Sequence, residues 1–508
     1  MKFRASELPL TPFSIKDTIS IRTGDWKYVE PFYEEKIAPC TSACPVGIDI
    51  TSCIALLAQE RFQEAAKLWK ESNPFPGVCG RVCPRFCERE CLRKNLGGSV
   101  TIHLLERFIG DLNVDIQNKS QKTGKKVAVI GSGPAGLSCA YHLSRKGYKV
   151  TLFEKEKLLG GLLRDIPSYR LPPEIVDKEI EGILKQGMDI EINKELGKDF
   201  FLEELKQQFD AICIATGLKE RKLNIRGTEL FNVWSGREFL KLNNNIQNKK
   251  ITVIGGGDTA IDATRVALRK GSEVFVFYRR RREDMPANPY EVEEAIEEGV
   301  NIKYLSEPLR IEKCSSFLRL FLKKKADENS EFFIDTDGVV MAVGEEREML
   351  NNEIKDTFLC GDILTQKGTV SHAIGSGKET ASLIHKYFFG EETSITLPAV
   401  VEFEDLNLDY FKEEYPPEEK KRDISQRIKD FDEIYHGLTK EEVIIKEATR
   451  CFGCGKCSGC DNCYVFCPDA AISKQDGKYI IDYDHCKGCG ICMEECPRGV
   501  ISMRRTEK

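Results

Sequence analysis

Two cysteine runs near the end of the chain constrain this sequence more than any other feature. Cys457, Cys460, Cys463 and Cys467 are spaced C-x2-C-x2-C-x3-C and followed by Pro468; Cys486, Cys489, Cys492 and Cys496 repeat the run 29 residues later, followed by Pro497. Such a doubled run serves two 4Fe-4S cubanes, three close thiolates capping one cluster while the distant fourth reaches across to the other. The expected sets are therefore Cys457, Cys460, Cys463 with Cys496, and Cys486, Cys489, Cys492 with Cys467. A zinc ribbon, the bland alternative, uses two C-x2-C knuckles rather than two triplets with a trailing Cys-Pro. Between the runs, AAISKQDGKYIIDYD supplies a strand, an Asp-Gly turn and a strand.

Those eight belong to a total of 21 cysteines, seven between Cys40 and Cys91, ten between Cys451 and Cys496, and only Cys139, Cys213, Cys314 and Cys360 between the groups. The first residues, MKFRASELPLTPFSIKDT, lack the apolar core of a signal peptide, and no stretch is long and apolar enough for a membrane span. A reducing cytoplasm is therefore expected, with thiolates on metal rather than in disulfides. A formal charge of -6 argues against nucleic acid as a partner. The C-terminal run resembles the ligand run of bacterial ferredoxins, which implies a small α+β domain over 441–508. Cys451 and Cys454 extend the three-residue period upstream as RCFGCGKC. They are read as standing outside the two ferredoxin clusters, with exchange or binding at an interface left open.

The middle of the chain alternates short apolar runs with helical patterns, the signature of parallel sheets. Gly131, Gly133 and Gly136 form G-x-G-x-x-G after the strand VAVI, and Glu154 closes the next strand, VTLFE. The glycines allow a tight turn, close approach of a pyrophosphate and helix–strand packing, while the acid suits an unmodified ribose. About 124 residues later the unit recurs as GGGDTAID, with Gly255, Gly257, Asp258, Thr259 and Ala260, and its second strand ends in Arg279, Arg280, Arg281 and Arg282. Guanidinium groups there, Arg279 and Arg280 above all, suit the 2′-phosphate of NADPH; the bland alternative is a solvated face or a nucleic-acid patch. One unit thus suits FAD and the other NADPH, with NADH possible.

Residues 38–395 carry, in order, NPFPGVCGRVCPRFCEREC, GSGPAG, GGLLRDIPSYRLP, ATG at Ala215, Thr216 and Gly217, GGGDTAID, YRRRREDMPANPYEVEEAIEEGV, and CGD at Cys360, Gly361 and Asp362. This text resembles the small subunit of NADPH-dependent glutamate synthase and its relatives, among them the N-terminal half of dihydropyrimidine dehydrogenase and the NADPH-binding subunit of electron-bifurcating transhydrogenase. The resemblance implies tandem α/β dinucleotide-binding domains, a FAD domain at 125–245 and 345–395 interrupted by an NADPH domain at 246–344, after a helical iron–sulfur domain within 1–118. It places Gly160, Gly161 and Leu162 along the flavin, Asp362 near the ribityl and phosphate, and the helix beginning near Thr369 under the pyrophosphate, with Pro134, Ala135, Arg170, Ala215, Thr216, Gly217, Gly361 and Ala373 as further cofactor-binding residues. Residues 1–37 read as an extended arm, and 396–440 as an acidic, solvated linker with nine acidic and four basic side chains over 401–423.

The same resemblance implies two N-terminal 4Fe-4S clusters. One would take Cys44, Cys83, Cys87 and Glu106. The other is incomplete, because the positions of two upstream ligands hold Phe32 and Glu35. Cys40 and Cys91 remain for it, and Cys79 or Cys53 would have to be recruited, so one or two clusters are expected here. Zinc is the alternative for the evenly spaced Cys79, Cys83, Cys87 and Cys91. Cys53, in an apolar helix, reads as a core thiol.

Hydride transfer to a flavin needs no protein acid or base, and none is assigned among six histidines. The expected activity is that of an NAD(P)H:acceptor oxidoreductase subunit, passing electrons between NADPH, FAD and clusters to or from a partner redox enzyme in a hetero-oligomeric complex. A glutamate synthase small subunit, an electron-wiring module without its own turnover, and a bifurcating flavoprotein are the competing readings.

Overall fold

The computed structural model describes residues 22–112, 114–116, 120–242, 246–324, 330–347, 356–390 and 398–506. The first part of the expected arm, 1–21, lies outside them.

The apolar runs of the middle region form two five-stranded parallel sheets. In the first, the strands lie in the order Thr357–Leu359, Ala211–Ile214, Lys126–Ile130, Lys149–Glu154, Asp189–Ile192. Its central strands are buried through Val127–Ile130 and Ala211–Ile214, as parallel strands covered on both faces must be. Helix Pro134–Arg145 packs on it and lies against helix Val370–Phe389. Pairing of Thr357–Leu359 with Ile212–Ile214 returns the chain to this sheet after the second domain is complete.

The second sheet runs Asn301–Lys303, Glu273–Phe277, Lys250–Gly255, Gly338–Ala342, Val233–Ser235, beside an antiparallel meander of Ser306–Lys313, Leu318–Lys324 and Glu331–Thr336. It begins upstream of the expected boundary at 246, because Val233–Ser235 pairs with Val339–Met341. Three residues are too few to carry a readable period.

Short helices make up the N-terminal domain: Pro39–Ala43, Ile50–Ala58, Phe62–Ser72, Pro76–Val82, Phe86–Arg89 and Ile102–Asp111. Pro76–Val82 and Ile102–Asp111 touch backbone to backbone. A Cβ on Gly110 would stand 2.1 Å from the Gly77 nitrogen. That crossing brings Glu106 to the cysteines.

In the C-terminal domain, strands Ile472–Gln475 and Lys478–Ile481 pair across Asp476-Gly477, both with positive φ as an Asp-Gly hairpin turn requires. A third strand, Ile501–Arg505, pairs antiparallel with Val29–Tyr33. The described part of the arm is therefore built into this domain. Residues 398–440 form an ordered strap rather than a solvated linker. Val401 is buried and bonds the backbone of Ile37, Lys36 meets Asp405 at 2.9 Å, Ile434 enters the core of the second sheet, and Arg427 reaches Glu297 and Glu298. Several of its charges, Asp405, Glu419, Lys421, Arg427 and Glu433 among them, meet partners on other elements, which composition does not reveal.

Candidate redox centres

The first dinucleotide site lies at the carboxyl ends of the first sheet's strands. Gly131 stands against Ala215, Gly161 against Gly133, and Gly361 against Ala135, so the loops at 131–136, 160–162, 215–217 and 361–362 converge. Glu154 is buried, accepting bonds from the Ser132 amide and hydroxyl at 2.8 and 2.5 Å. Thr369 caps helix Val370–Phe389, whose first turn buries Ala373, and Asp362 accepts the Gly368 amide at 3.0 Å. Nothing stands within 4 Å of the Cβ direction at Gly133, so the loop and the first helical N–H groups leave room for a pyrophosphate. Arg170 is bound to Asp262 at 2.7 Å and Glu291 at 3.0 Å across the domain boundary.

A Cβ on Gly136 would lie 1.9 Å from the Gly131 carbonyl oxygen, whereas Ala260 fills the same place in the second unit, 3.3 Å from the Cβ direction of Gly255. Gly136→Ala should therefore cost about 1–3 kcal/mol at the first loop alone. Flavin binding should weaken roughly ten- to hundred-fold, read by flavin retained on gel filtration.

The second site repeats the geometry at Gly255, Gly257 and helix Asp258–Arg269; Asp258 accepts the Asn288 amide at 2.8 Å, and Thr259 lies beside Gly236. Arg281 and Arg282 form ion pairs with Glu283 and Glu293. Arg279 and Arg280 are exposed and make no side-chain bond among the described residues. Beneath the helix lies an ion network with no sequence motif. Arg265, with no exposed side-chain surface, bonds Glu291, Glu294 and Glu298, and Arg269 bonds Glu298.

In the N-terminal domain, Cys44, Cys83, Cys87 and Glu106 face one another. Burial raises all three thiols, Cys83 to about 12; among the further influences, Glu106 acts on each of them, Cys44 on Cys83 and Cys87, and Cys83 on Cys87. Glu106 is raised to about 8 by burial, against bonds to one oxygen from Trp69 at 3.0 Å and Asn73 at 2.7 Å. Its other oxygen has no bond among the described residues, which suits a fourth ligand. Trp69 and Asn73 were not legible as supports, although they lie four apart at the end of helix Phe62–Ser72. Cys79 is buried beside Glu106, Cys83 and Asn73. Ser371, in the first turn of helix Val370–Phe389, lies beside Cys83, and His372 meets Phe86 edge-on at 5.1 Å. The cluster set and the first dinucleotide site share that helix end.

In the C-terminal domain Cys457, Cys460, Cys463 and Cys496 line one cavity with Tyr33. Burial raises Cys463, the Tyr33 hydroxyl at 3.4 Å lowers it, and Cys460, Cys457 and Cys496 push it up again. Burial, then Cys486, Cys489 and Cys467, raise Cys492 to about 12. Both sets thus group across the two runs. Tyr33, distant in sequence, carried no signal. As they stand, no three or more His, Cys, Asp or Glu side chains among the described residues are arranged to hold a metal ion, these sets included. No helix among them is long and apolar enough to cross a membrane.

Three family models match: pyridine nucleotide-disulphide oxidoreductase over 125–355, dihydropyrimidine dehydrogenase domain II with its 4Fe-4S cluster over 34–118, and a 4Fe-4S binding domain over 479–502. The NADPH-Fe(3+) oxidoreductase subunit beta of Geobacter sulfurreducens is 37% identical over 355 residues, covering 63% of this chain and 53% of that one. The chain thus spans about half the length of that relative. The NADP(+)-dependent formate dehydrogenase subunit beta of Moorella thermoacetica is 32% identical, covering 82% of this chain and 70% of that one. The glutamate synthase (NADPH) small chain of Azospirillum brasilense is 32% identical, covering 68% and 86%. By these matches, over most of the length of two relatives, the chain belongs to the family of NADPH-dependent iron–sulfur flavoprotein subunits that includes the glutamate synthase small chain.

Proposed function

We propose that the chain is the NADPH-handling subunit of a soluble, cytoplasmic oxidoreductase complex, carrying electrons between NADPH and a partner redox enzyme. The observation that carries this reading is the helix Val370–Phe389, whose first turn closes the first dinucleotide site and also sets Ser371 beside Cys83. A flavin bound there, together with the clusters, would supply the exchange between two-electron hydride chemistry and one-electron carriage.

The chain's own residues hold and insulate. Gly131, Gly133, Gly136, Glu154 and Gly161 would cradle FAD with Gly217, Asp362 and Thr369, and Arg279 and Arg280 would take the 2′-phosphate of NADPH. Glu106 with Cys44, Cys83 and Cys87 would hold the nearest cluster. The ferredoxin sulfurs would hold the outer pair, and Cys457, Cys460 and Cys489 are exposed, which makes that domain the face for a partner. The relatives' names join NADP to iron(III), formate and glutamate synthesis, so the acceptor is set by the partner.

Anaerobic addition of NADPH to the holoprotein should bleach first the flavin absorbance and then the iron–sulfur absorbance. If neither bleaches, the reading falls. Glutamine-dependent oxidation of NADPH by a copurifying complex would redirect it to glutamate synthesis.

A further inference from the structure

Cys40 and Cys91 are two ligands short of a cubane, and the chain offers Phe32 and Glu35 upstream. Phe32 is committed to the strand pairing with Ser502, and Cys79 is taken up beside Glu106. A third segment closes the gap. Helix Glu441–Thr449 packs on Ile50–Ala58, and Glu447 accepts the amide and hydroxyl of Thr101 at 2.6 and 3.0 Å. Arg450, buried, donates to the carbonyls of Gly97, Gly98 and Ser99, just after Cys91. Phe452 is buried with the Arg93 guanidinium 4.9 Å from its ring. Gly455 lies on the Lys36 carbonyl, just before Cys40, where a Cβ would stand 2.4 Å away. The turn holding Cys451 and Cys454 is thus wedged between the chain leaving Cys91 and the chain entering Cys40.

Cys40, Cys91 and Cys454 are buried in one continuous apolar core, and Cys451 packs against it. After burial, the four thiols stand near enough to push one another's pKa up in every pairing: Cys40 with Cys451, Cys91 and Cys454, Cys451 with Cys91, and Cys454 with Cys451 and Cys91. The ferredoxin sets show the same mutual opposition of thiols.

We propose that Cys40, Cys91, Cys451 and Cys454 are the four ligands of one 4Fe-4S cluster shared between the N-terminal and C-terminal domains. The inference rests on the oxidoreductase reading only for the choice of a cluster over a single ion. The site would bridge the others. Cys40 lies in helix Pro39–Ala43 and Cys44 caps its end, Cys87 lies in helix Phe86–Arg89 and Cys91 two residues beyond it, and Cys454 lies three residues before Cys457. The Cys44 cluster would be its neighbour on one side and the ferredoxin clusters its neighbours on the other.

The test is an iron and sulfide count on anaerobically reconstituted full-length protein, with electron paramagnetic resonance of the reduced form and flavin content as the folding control. Wild type should hold about sixteen iron atoms per chain, and Cys451→Ala with Cys454→Ala about twelve. Cys79→Ala and Cys53→Ala should each keep the full count. Should the double variant not fold, Cys454→Ser should keep a cluster with one altered resonance. A full count in the double alanine variant, an unaltered spectrum in Cys454→Ser, or a wild type holding only twelve overturns the proposal. A full wild-type count lost as expected, in protein that NADPH fails to bleach, would uphold these ligands and sink the proposed function instead.

Discussion

Replacing Arg279 and Arg280 together by alanine should raise the KM for NADPH about a hundred-fold and leave that for NADH nearly unchanged. Each guanidinium is exposed, lies at the end of strand Glu273–Phe277 beside the second glycine loop, and makes no side-chain bond among the described residues. A charge-assisted hydrogen bond to a phosphate contributes about 1.5–3 kcal/mol. Exposure puts both arginines at the low end, so the pair together contributes about 3 kcal/mol, which is roughly a hundred-fold. Because NADH lacks the 2′-phosphate, steady-state diaphorase assays with the two nucleotides separate this role from a structural one. Equal losses with both would remove the reason for choosing NADPH.

Glu298→Gln should destabilise the second dinucleotide domain by about 3–5 kcal/mol, because removing one partner of a buried ion pair leaves the others uncompensated. Glu298 has no exposed side-chain surface and meets Arg265 and Arg269 at 2.8 Å and Arg427 at 3.3 Å. Burial alone would raise its pKa, yet the bonds from Arg269 and Arg265 hold it down at about 2. A carboxylate held below its unfolded value, about 4.3, contributes stability that is present above that value and is lost as pH falls through the folded one. Urea melts near neutrality should therefore show the full difference between wild type and variant. Between about pH 4 and 2 the two should converge.

What the sequence made legible was local. The ferredoxin ligands recur at fixed short spacings, the glycine loops join a strand to a helix within a few residues, and Asp476-Gly477 dictates its own turn. What it hid was contact between distant segments. Cys91 and Cys451 are 360 residues apart, so the gap left by Phe32 and Glu35 was visible while its filling was not. The strap at 398–440 reads as solvated because composition counts charges without their partners; Arg427, with no exposed side-chain surface, is paired on both sides. Arg170 sits in a stretch that suggests a flavin ligand, yet Asp262 and Glu291 claim it from the other domain.

The pairing of Val29–Tyr33 with Ile501–Arg505 sutures the ferredoxin domain to the rest of the chain, and the turn at Arg450–Gly455 adds a second attachment. Many redox proteins deliver electrons by swinging a tethered carrier from donor to acceptor, a diffusive stroke slowed by thick solvent. Two attachments oppose such a stroke in this domain. On the function proposed above, its outer sulfurs would form a stationary terminal to which the acceptor comes, and electron transfer from NADPH as far as those sulfurs should proceed at the same rate in glycerol as in water.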